Sequence, residues 1–289
     1  MRRFGLAKKL KLAVLVEDSV SESQREVIAK HGLSFLIEAE GDGDKVSVLM
    51  DTGPSPDIVL HNAEVMGVDL TKIDAVFLSH GHYDHTGGLV GILKQIDNEV
   101  LVVAHPKVFG LKLKLDPGLK YIGSPFKPSE VEASGGVLLL ARNPVTIAKG
   151  VMTSGEIERG VAYEKVEDFW SVEEETFKED LMPDDQALTI NLEGKGLVVV
   201  SGCAHSGIIN TIRTAQKVTG VSKVCAVLGG FHLVGADDKR IRLTVKELLK
   251  ISPEVVGSCH CTGSKAVHRL VEAFGDLCKP LRTGDTIEL

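Results

Sequence analysis

A chain of 289 residues, 43% hydrophobic and 25% charged, carries enough apolar material for one large domain or two small ones. Its net charge of −7 leaves no basic field for constitutive nucleic-acid binding. Its five cysteines, an odd number in a long chain, argue against a disulfide framework. Aromatics make up only 4%, with Trp170 the single tryptophan, so Val, Leu, Ile and Ala must build the core.

The N-terminus, from Met1-Arg2-Arg3 to Lys8-Lys9, is basic. The apolar residues 12–16 that follow stop at Glu17 and Asp18, too short for a signal-peptide core or a membrane span. They read as a first strand, and the cytoplasm is the expected compartment. Residues 34–38 and 46–50 read as two strands joined across Gly41-Asp42-Gly43-Asp44, since Asp-Gly favours hairpin turns. Ser55-Pro56-Asp57 opens a helix with a cap and an N1 proline, running to Gly67. Strands over 75–79 and 100–103 flank a helix over 88–96. Residues 106–183 break this rhythm with Pro117, Pro125, Pro128, Pro144 and an acidic stretch over 164–180. They read as an irregular insertion. It is either a solvated surface segment or a lid or substrate wall offering Phe169, Trp170 and Phe177. Strands over 187–192 and 197–201 form a second hairpin, followed by strands at 224–228, 255–256 and 284–289. Helices over 207–218, 238–249 and 264–274 lie between them. This order predicts two halves of like build, packed sheet to sheet with helices outside.

The run His80-Gly81-His82-Tyr83-Asp84-His85 follows the strand over 75–79 directly. Three imidazoles and a carboxylate on one short loop suit zinc, iron or manganese, and the spacing lets one loop serve two neighbouring metal positions. A loop that merely happens to be polar is the competing reading. Asp51, His205, His232 and His260 each follow an apolar strand as well, and strand ends of one sense are where open α/β sheets gather their sites. Cys203 lies two residues before His205, and Cys259 and Cys261 flank His260. Thiolate ligation and plain burial at strand ends both fit these cysteines, and burial is the simpler reading.

Asp51-Thr52-Gly53 after a strand, the run from Ser79 through Gly88 and the spaced later histidines resemble the metallo-β-lactamase superfamily. The resemblance covers nearly the whole chain. It implies a single domain over residues 1–289, with 106–183 as an insertion or lid. The implied fold is α/β (α+β), a four-layer αββα sandwich of metallo-β-lactamase type with two similar ββ-rich halves. At one edge it implies one or two divalent metal ions, zinc first, with magnesium, manganese or iron also accommodated. Carried over residue by residue, His80, His82 and His205 match the first-metal ligands, and Asp84, His85 and His260 the second. Asp51 resembles the acid that orients the histidine loop through hydrogen bonds. Many members bridge their metals with an aspartate where this chain reads Leu228-Gly229-Gly230-Phe231-His232-Leu233. There His232 either ligates or faces substrate, and Asp84 and His232 are the catalytic candidates.

Phrases at 31–38, 185–188, 202–207, 229–232 and 259–263 resemble one subgroup, the dihydropterin-ribofuranosylaminobenzene phosphate synthases of methanopterin biosynthesis. These join a pterin diphosphate to an aryl ribose phosphate. The resemblance adds His31, Asp185 and Gln186 as candidates for supporting the site or touching substrate. Their plainer readings are a helix terminus, a turn residue and a strand-edge amide. His61, His105 and His268 lie outside every matching phrase and read as structural or surface groups. The implied partner is a small phosphorylated substrate, with no nucleic acid and no membrane, and the oligomeric state is open. A hydrolase that activates water on its metals against a phosphodiester, thioester or lactone stands beside the synthase reading. A di-iron redox protein is the remaining alternative, but such relatives carry a flavin domain for which this chain has no length.

Overall fold

The computed structural model describes residues 4–96, 98–115 and 117–289, so the basic Met1-Arg2-Arg3 run lies outside the described residues. In chain order the strands of the first part are β1 (Lys9–Val16), β2 (Ser34–Glu40), β3 (Lys45–Met50), β4 (Ala75–Phe77), β5 (Val100–Ala104), β6 (Leu113–Leu115), β7 (Leu119–Tyr121) and β8 (Gly136–Leu140). Then come β9 (Thr146–Ala148), β10 (Val151–Thr153), β11 (Phe169–Glu173), β12 (Thr176–Glu179), β13 (Ala187–Leu192), β14 (Gly196–Ser201), β15 (Val224–Gly230), β16 (Val255–Cys259) and β17 (Thr286–Glu288). The helices are α1 (Pro56–Val65), α2 (Tyr83–Thr86), α3 (Leu89–Gln95), α4 (Pro128–Glu132), α5 (Ile208–Thr219), α6 (Asp238–Ile251) and α7 (Ser264–Phe274).

Two large sheets face each other. One has the order β17-β1-β2-β3-β4-β5-β8 and the other β16-β15-β14-β13-β10-β9. Side-chain alternation along each strand decides what every layer sees. Leu12, Val14, Val48, Met50 and Phe77 point into the space between the sheets and meet Leu188, Ile190, Val198, Val200 and Leu228. Their alternate neighbours Leu15, Leu49, Val76 and Leu78 point outward onto Val59 and Ala63 of α1 and Leu89, Ile92 and Leu93 of α3. On the second sheet Leu197, Val199 and Val227 pack against Ile209 and Ile212 of α5, Leu248 of α6 and Leu270 of α7. The layers are therefore helix, sheet, sheet, helix, as the sequence predicts. Strands buried on both faces are continuous apolar runs, which explains why β14 and β15 stand out in the sequence. Each fully buried Val or Leu contributes roughly 1.5–3 kcal/mol.

Strand direction fixes where the site can form. β1 runs antiparallel to β2 and β2 to β3, while β3, β4 and β5 are parallel. The C-terminal ends of β1, β3 and β4 therefore share one edge of the first sheet. β14, β15 and β16 are parallel to one another and end together on the second.

The reading of 106–183 as irregular is corrected. β8 extends the first sheet in parallel with β5, and β9 and β10 extend the second next to β13. β6, β7, β11 and β12 form a separate four-stranded sheet. These strands run only three to five residues, too short for alternation to show against the prolines around them. Ser55 does precede Pro56 at the start of α1, but its hydroxyl makes no capping bond. Among the described residues no helix is long and apolar enough to cross a membrane.

Candidate metal centre

The loop after β4 and the loops after β3, β14, β15 and β16 meet at the shared edge. At their tips Asp51, Ala204, His232 and His260 adopt left-handed backbone, with φ of 58°, 52°, 46° and 49°. Non-glycine residues persist there only where the surroundings over-determine them, and such positions cluster at functional sites. Gly81, between two histidines of the loop, must be glycine: a Cβ there would strike the Val108 carbonyl.

Two groups of donor atoms face each other across this edge. In the first, His80 Nε2 lies 3.0 Å from His82 Nδ1 and 3.3 Å from His205 Nε2. In the second, Asp84 Oδ2 lies 3.4 Å from His260 Nε2 and 3.7 Å from His85 Nε2. Burial, reinforced by neighbouring imidazoles, holds His80 and His205 well below the usual histidine range, and burial takes His82 down to about 3. These rings are neutral, the form a metal requires. Burial would likewise lower His260, but hydrogen bonds to Asp18 and Asp84 outweigh it and hold this imidazole well above its ordinary value. Asp84 is held low: burial opposes the charge, and His85 and His260 overcome it.

A carboxylate network behind the donors sets their orientation. Asp51 accepts from the Ser79 backbone N–H, the Ser79 hydroxyl and His85 Nδ1, each at 2.7 Å. The Ser79 hydroxyl also lies 2.9 Å from His80 Nδ1. His85 and His80 thus present Nε2 to the cleft. Asp18 accepts from His260 Nδ1 at 2.8 Å, and Glu17 accepts from the His260 backbone N–H at 3.0 Å. Asp184 accepts from the Gly81 N–H at 2.9 Å and is paired with the buried Lys112. Phe169 of β11 covers the first group, its ring centroid 5.2 Å from His82 and 5.0 Å from His205. Trp170 stacks on Phe177 instead, at 4.8 Å.

The other predicted residues take varied places. His31 is exposed at the rim, 3.2 Å from Asp18 and 3.5 Å from Asp84. His232 lies half-buried with its ring 4.2 Å from that of His205, and its Nδ1 is buried without a partner. It groups with Cys203 and Cys261, not with the facing histidine and aspartate donors. Asp185 accepts from the Ser206 N–H at 2.8 Å, and burial pushes its carboxyl up to about 6. Gln186 donates its amide to the Ala141 carbonyl, and its backbone N–H to that of Ser79, so it braces the histidine loop and does not face the cleft. His61 lies 3.0 Å from the Glu26 backbone carbonyl, and His105 and His268 pair with the Glu156 and Glu272 carboxylates, all away from the cluster.

Sequence reasoning missed Glu17, Asp18, Asp184 and the position of Cys203. Glu17 and Asp18 were visible as the acids that end the first apolar run, yet only the β1–β3 direction reveals that they reach His260. Cys203 Sγ lies 3.2 Å from His85 Nε2.

Neutral ring nitrogens facing one another at about 3 Å cannot all be satisfied by one another. Ring nitrogens crowded together with a carboxylate beside them, and with Ser79, Asp51 and Asp18 behind His80, His85 and His260, fit a divalent cation. The outer nitrogens of His82 and His205 are buried without a partner.

The metallo-beta-lactamase superfamily model matches residues 28–201. The chain is 36% identical, across all of its length and 99% of the relative's, to a 7,8-dihydropterin-6-methyl-4-(β-D-ribofuranosyl)-aminobenzene-5′-phosphate synthase of Methanocaldococcus jannaschii. It is 31% identical to an uncharacterised protein of the same organism over 90% of this chain and 93% of that one. Among solved structures it is similar to a metal-dependent hydrolase of the beta-lactamase superfamily, with TM-score 0.80 and 29% identity over 97% of this chain and 99% of that one.

Proposed function

This chain belongs to the metallo-beta-lactamase superfamily, and from that premise we propose that it is a metal-dependent synthase joining a pterin diphosphate to an aryl ribose phosphate with release of diphosphate. The observation that carries the metal part is the convergence of two donor groups from strand ends of both sheets. The substrate class follows the full-length similarity to the methanogen synthase.

In this reading His80, His82 and His205 hold one divalent ion and Asp84, His85 and His260 hold a second, zinc being the first candidate. Bound metal supplies positive charge against the departing diphosphate oxygens, the place where charge develops in the transfer. Asp51 and Asp18 keep the ring nitrogens of His85 and His260 turned toward the cleft, and Asp184 holds the backbone of the histidine loop at Gly81. His31, exposed beside Asp84, is placed to donate to a substrate phosphate. Phe169 offers a flat apolar wall to an aromatic ring and keeps bulk water off His82 and His205. His232, beside both Phe169 and His205, meets the same part of the substrate. The segment 106–183, which contributes Phe169, acts as a wall or lid in this proposal.

Incubating the metal-loaded protein with the pterin diphosphate and the aryl ribose phosphate tests it. Coupled product and diphosphate should appear in equal amounts and vanish with chelator. Diphosphate released without coupled product would favour the hydrolase reading, which the similarity to a metal-dependent hydrolase keeps in view. Neither product from protein with metal bound removes the synthase assignment.

A further inference from the structure

We infer that Cys203 is a sulfur ligand shared by the two metal positions, an inference that rests on the metal reading above. Its Sγ belongs to both donor groups at once. With His80 and His205 it forms a trio whose ligating atoms all lie within 4.8 Å of one another, and with His85 and His260 it forms a second such trio. Among the described residues no other stands in both. The side chain is buried, free of any disulfide, and contacts His85 Nε2 directly.

Charge points the same way. Two divalent cations held by five imidazoles, which bring no negative charge as ligands, would be balanced by Asp84 alone, leaving a large uncompensated charge in a buried site. The other nearby acids are committed behind the rings. Asp51 serves Ser79 and His85, Asp18 serves His31 and His260, and Asp184 serves Gly81 and Lys112, while Asp185 bonds the Ser206 N–H through one oxygen and stands in neither trio. Among the described residues Cys203 is the thiol that reaches both trios, whereas Cys261 groups with it and His232, and metal binding deprotonates a coordinating thiol outright. The backbone is built to bring it there. Gly202 lets the strand end press against Ser79 and Asp51, with no room for a Cβ, and Ala204 turns through a left-handed conformation so that Cys203 and His205 both face the cleft.

A soft sulfur bridge would favour zinc or ferrous iron over magnesium at this site.

X-ray absorption at the zinc edge of the intact metal-loaded protein, together with elemental analysis, reads this directly. The expected spectrum contains a sulfur shell at about 2.3 Å, with one sulfur neighbour per zinc. The shell should disappear in Cys203→Ser and survive in Cys261→Ser, whose sulfur lies nearby but outside both trios. Cobalt-loaded wild-type protein should show a sulfur-to-metal charge-transfer band, a readout that needs no variant to fold. Only nitrogen and oxygen neighbours in wild type, or a sulfur shell that persists in Cys203→Ser, overturns the assignment. Sulfur at one metal ion but not the other overturns the sharing. Protein that takes up no metal overturns the metal reading itself, which the elemental analysis distinguishes from the loss of sulfur alone.

Discussion

Replacing Asp51 with asparagine keeps the side chain's shape but puts an N–H₂ group where one carboxylate oxygen stood. The consequence travels to His85. Asp51 Oδ2 accepts from both the Ser79 hydroxyl and His85 Nδ1, so an amide at that corner must donate to one of them. If it donates to His85, the imidazole proton moves to Nε2, the atom that faces Asp84 and Cys203. Metal affinity in Asp51→Asn should fall by about ten- to a hundredfold, the usual cost of losing such a partner, with the loss concentrated at the position served by His85. Chelator competition with elemental analysis measures it, and unchanged affinity for both ions would show that Asp51 does not control the ring. At this scale the sequence was legible where candidate donors are neighbours in the chain. His80, His82, Asp84 and His85 share one loop, so their chemistry shows in their spacing. Asp18 and His260 lie 242 residues apart, and no local pattern ties them. Cys203 was read as burial because a cysteine at a strand end is ordinary until its neighbours are known.

Helix α5 begins just after His205, and its N-terminus is held from outside. Glu164 accepts from the backbone N–H groups of Ile209 and Asn210, at 2.9 and 2.8 Å, occupying the place where a capping residue would sit. Gly207, the residue before the helix, has φ of 95°, and a Cβ there would collide with the Glu164 side chain. Burial raises the Glu164 carboxyl to about 6, outweighing the two backbone donors and the attraction of Arg240 and Arg213. The sign follows from linkage. A carboxyl whose folded-state pKa is raised contributes stability that is full below its unfolded value near 4.5, and that contribution is lost as pH rises through about 6. Between pH 4 and 7 the wild type should lose on the order of 2 kcal/mol relative to Glu164→Gln. Thermal melts of both proteins across that range test it, since the imidazole cluster is common to both and cancels. Parallel stability curves would mean that Glu164 is not desolvated as its burial implies. The long strands and helices were legible because each carries several turns or alternations of pattern. α7 matches its expected bounds, 264–274, residue for residue. The strands of 106–183 were not legible, because β8 is an edge strand with mixed exposure and β9 and β10 have three residues each. Their place is dictated by partners elsewhere in the chain.

Across the whole molecule, neither sheet holds a complete donor set. The first supplies Asp51, His80, His82, Asp84 and His85 from the ends of β3 and β4. The second supplies Cys203, His205 and His260 from β14 and β16. Each group of donors draws on both, so an ion bound by either group ties one half to the other at the rim. The rest of the junction is the apolar contact between the sheets. A ligand that binds the folded state alone stabilises it by about 2.7 kcal/mol at a hundredfold excess over its dissociation constant. Stripping the metal should therefore lower the unfolding midpoint by several degrees, at roughly 2–4 °C per kcal/mol for a chain of about this size. Returning zinc should restore it, and Asp51→Asn should recover only part of the increment. Differential scanning calorimetry of chelated and zinc-loaded protein, with metal content checked in each sample, makes the comparison. Hydrogen exchange then separates a junction effect from a local one. If the ion clamps the halves, amides at the ends of β4, β14 and β16 gain protection together. Protection confined to the loop over residues 80–85 would place the metal on one sheet alone. An unchanged midpoint in protein shown to have lost its metal would mean that the apolar contact between the sheets holds the two halves without it.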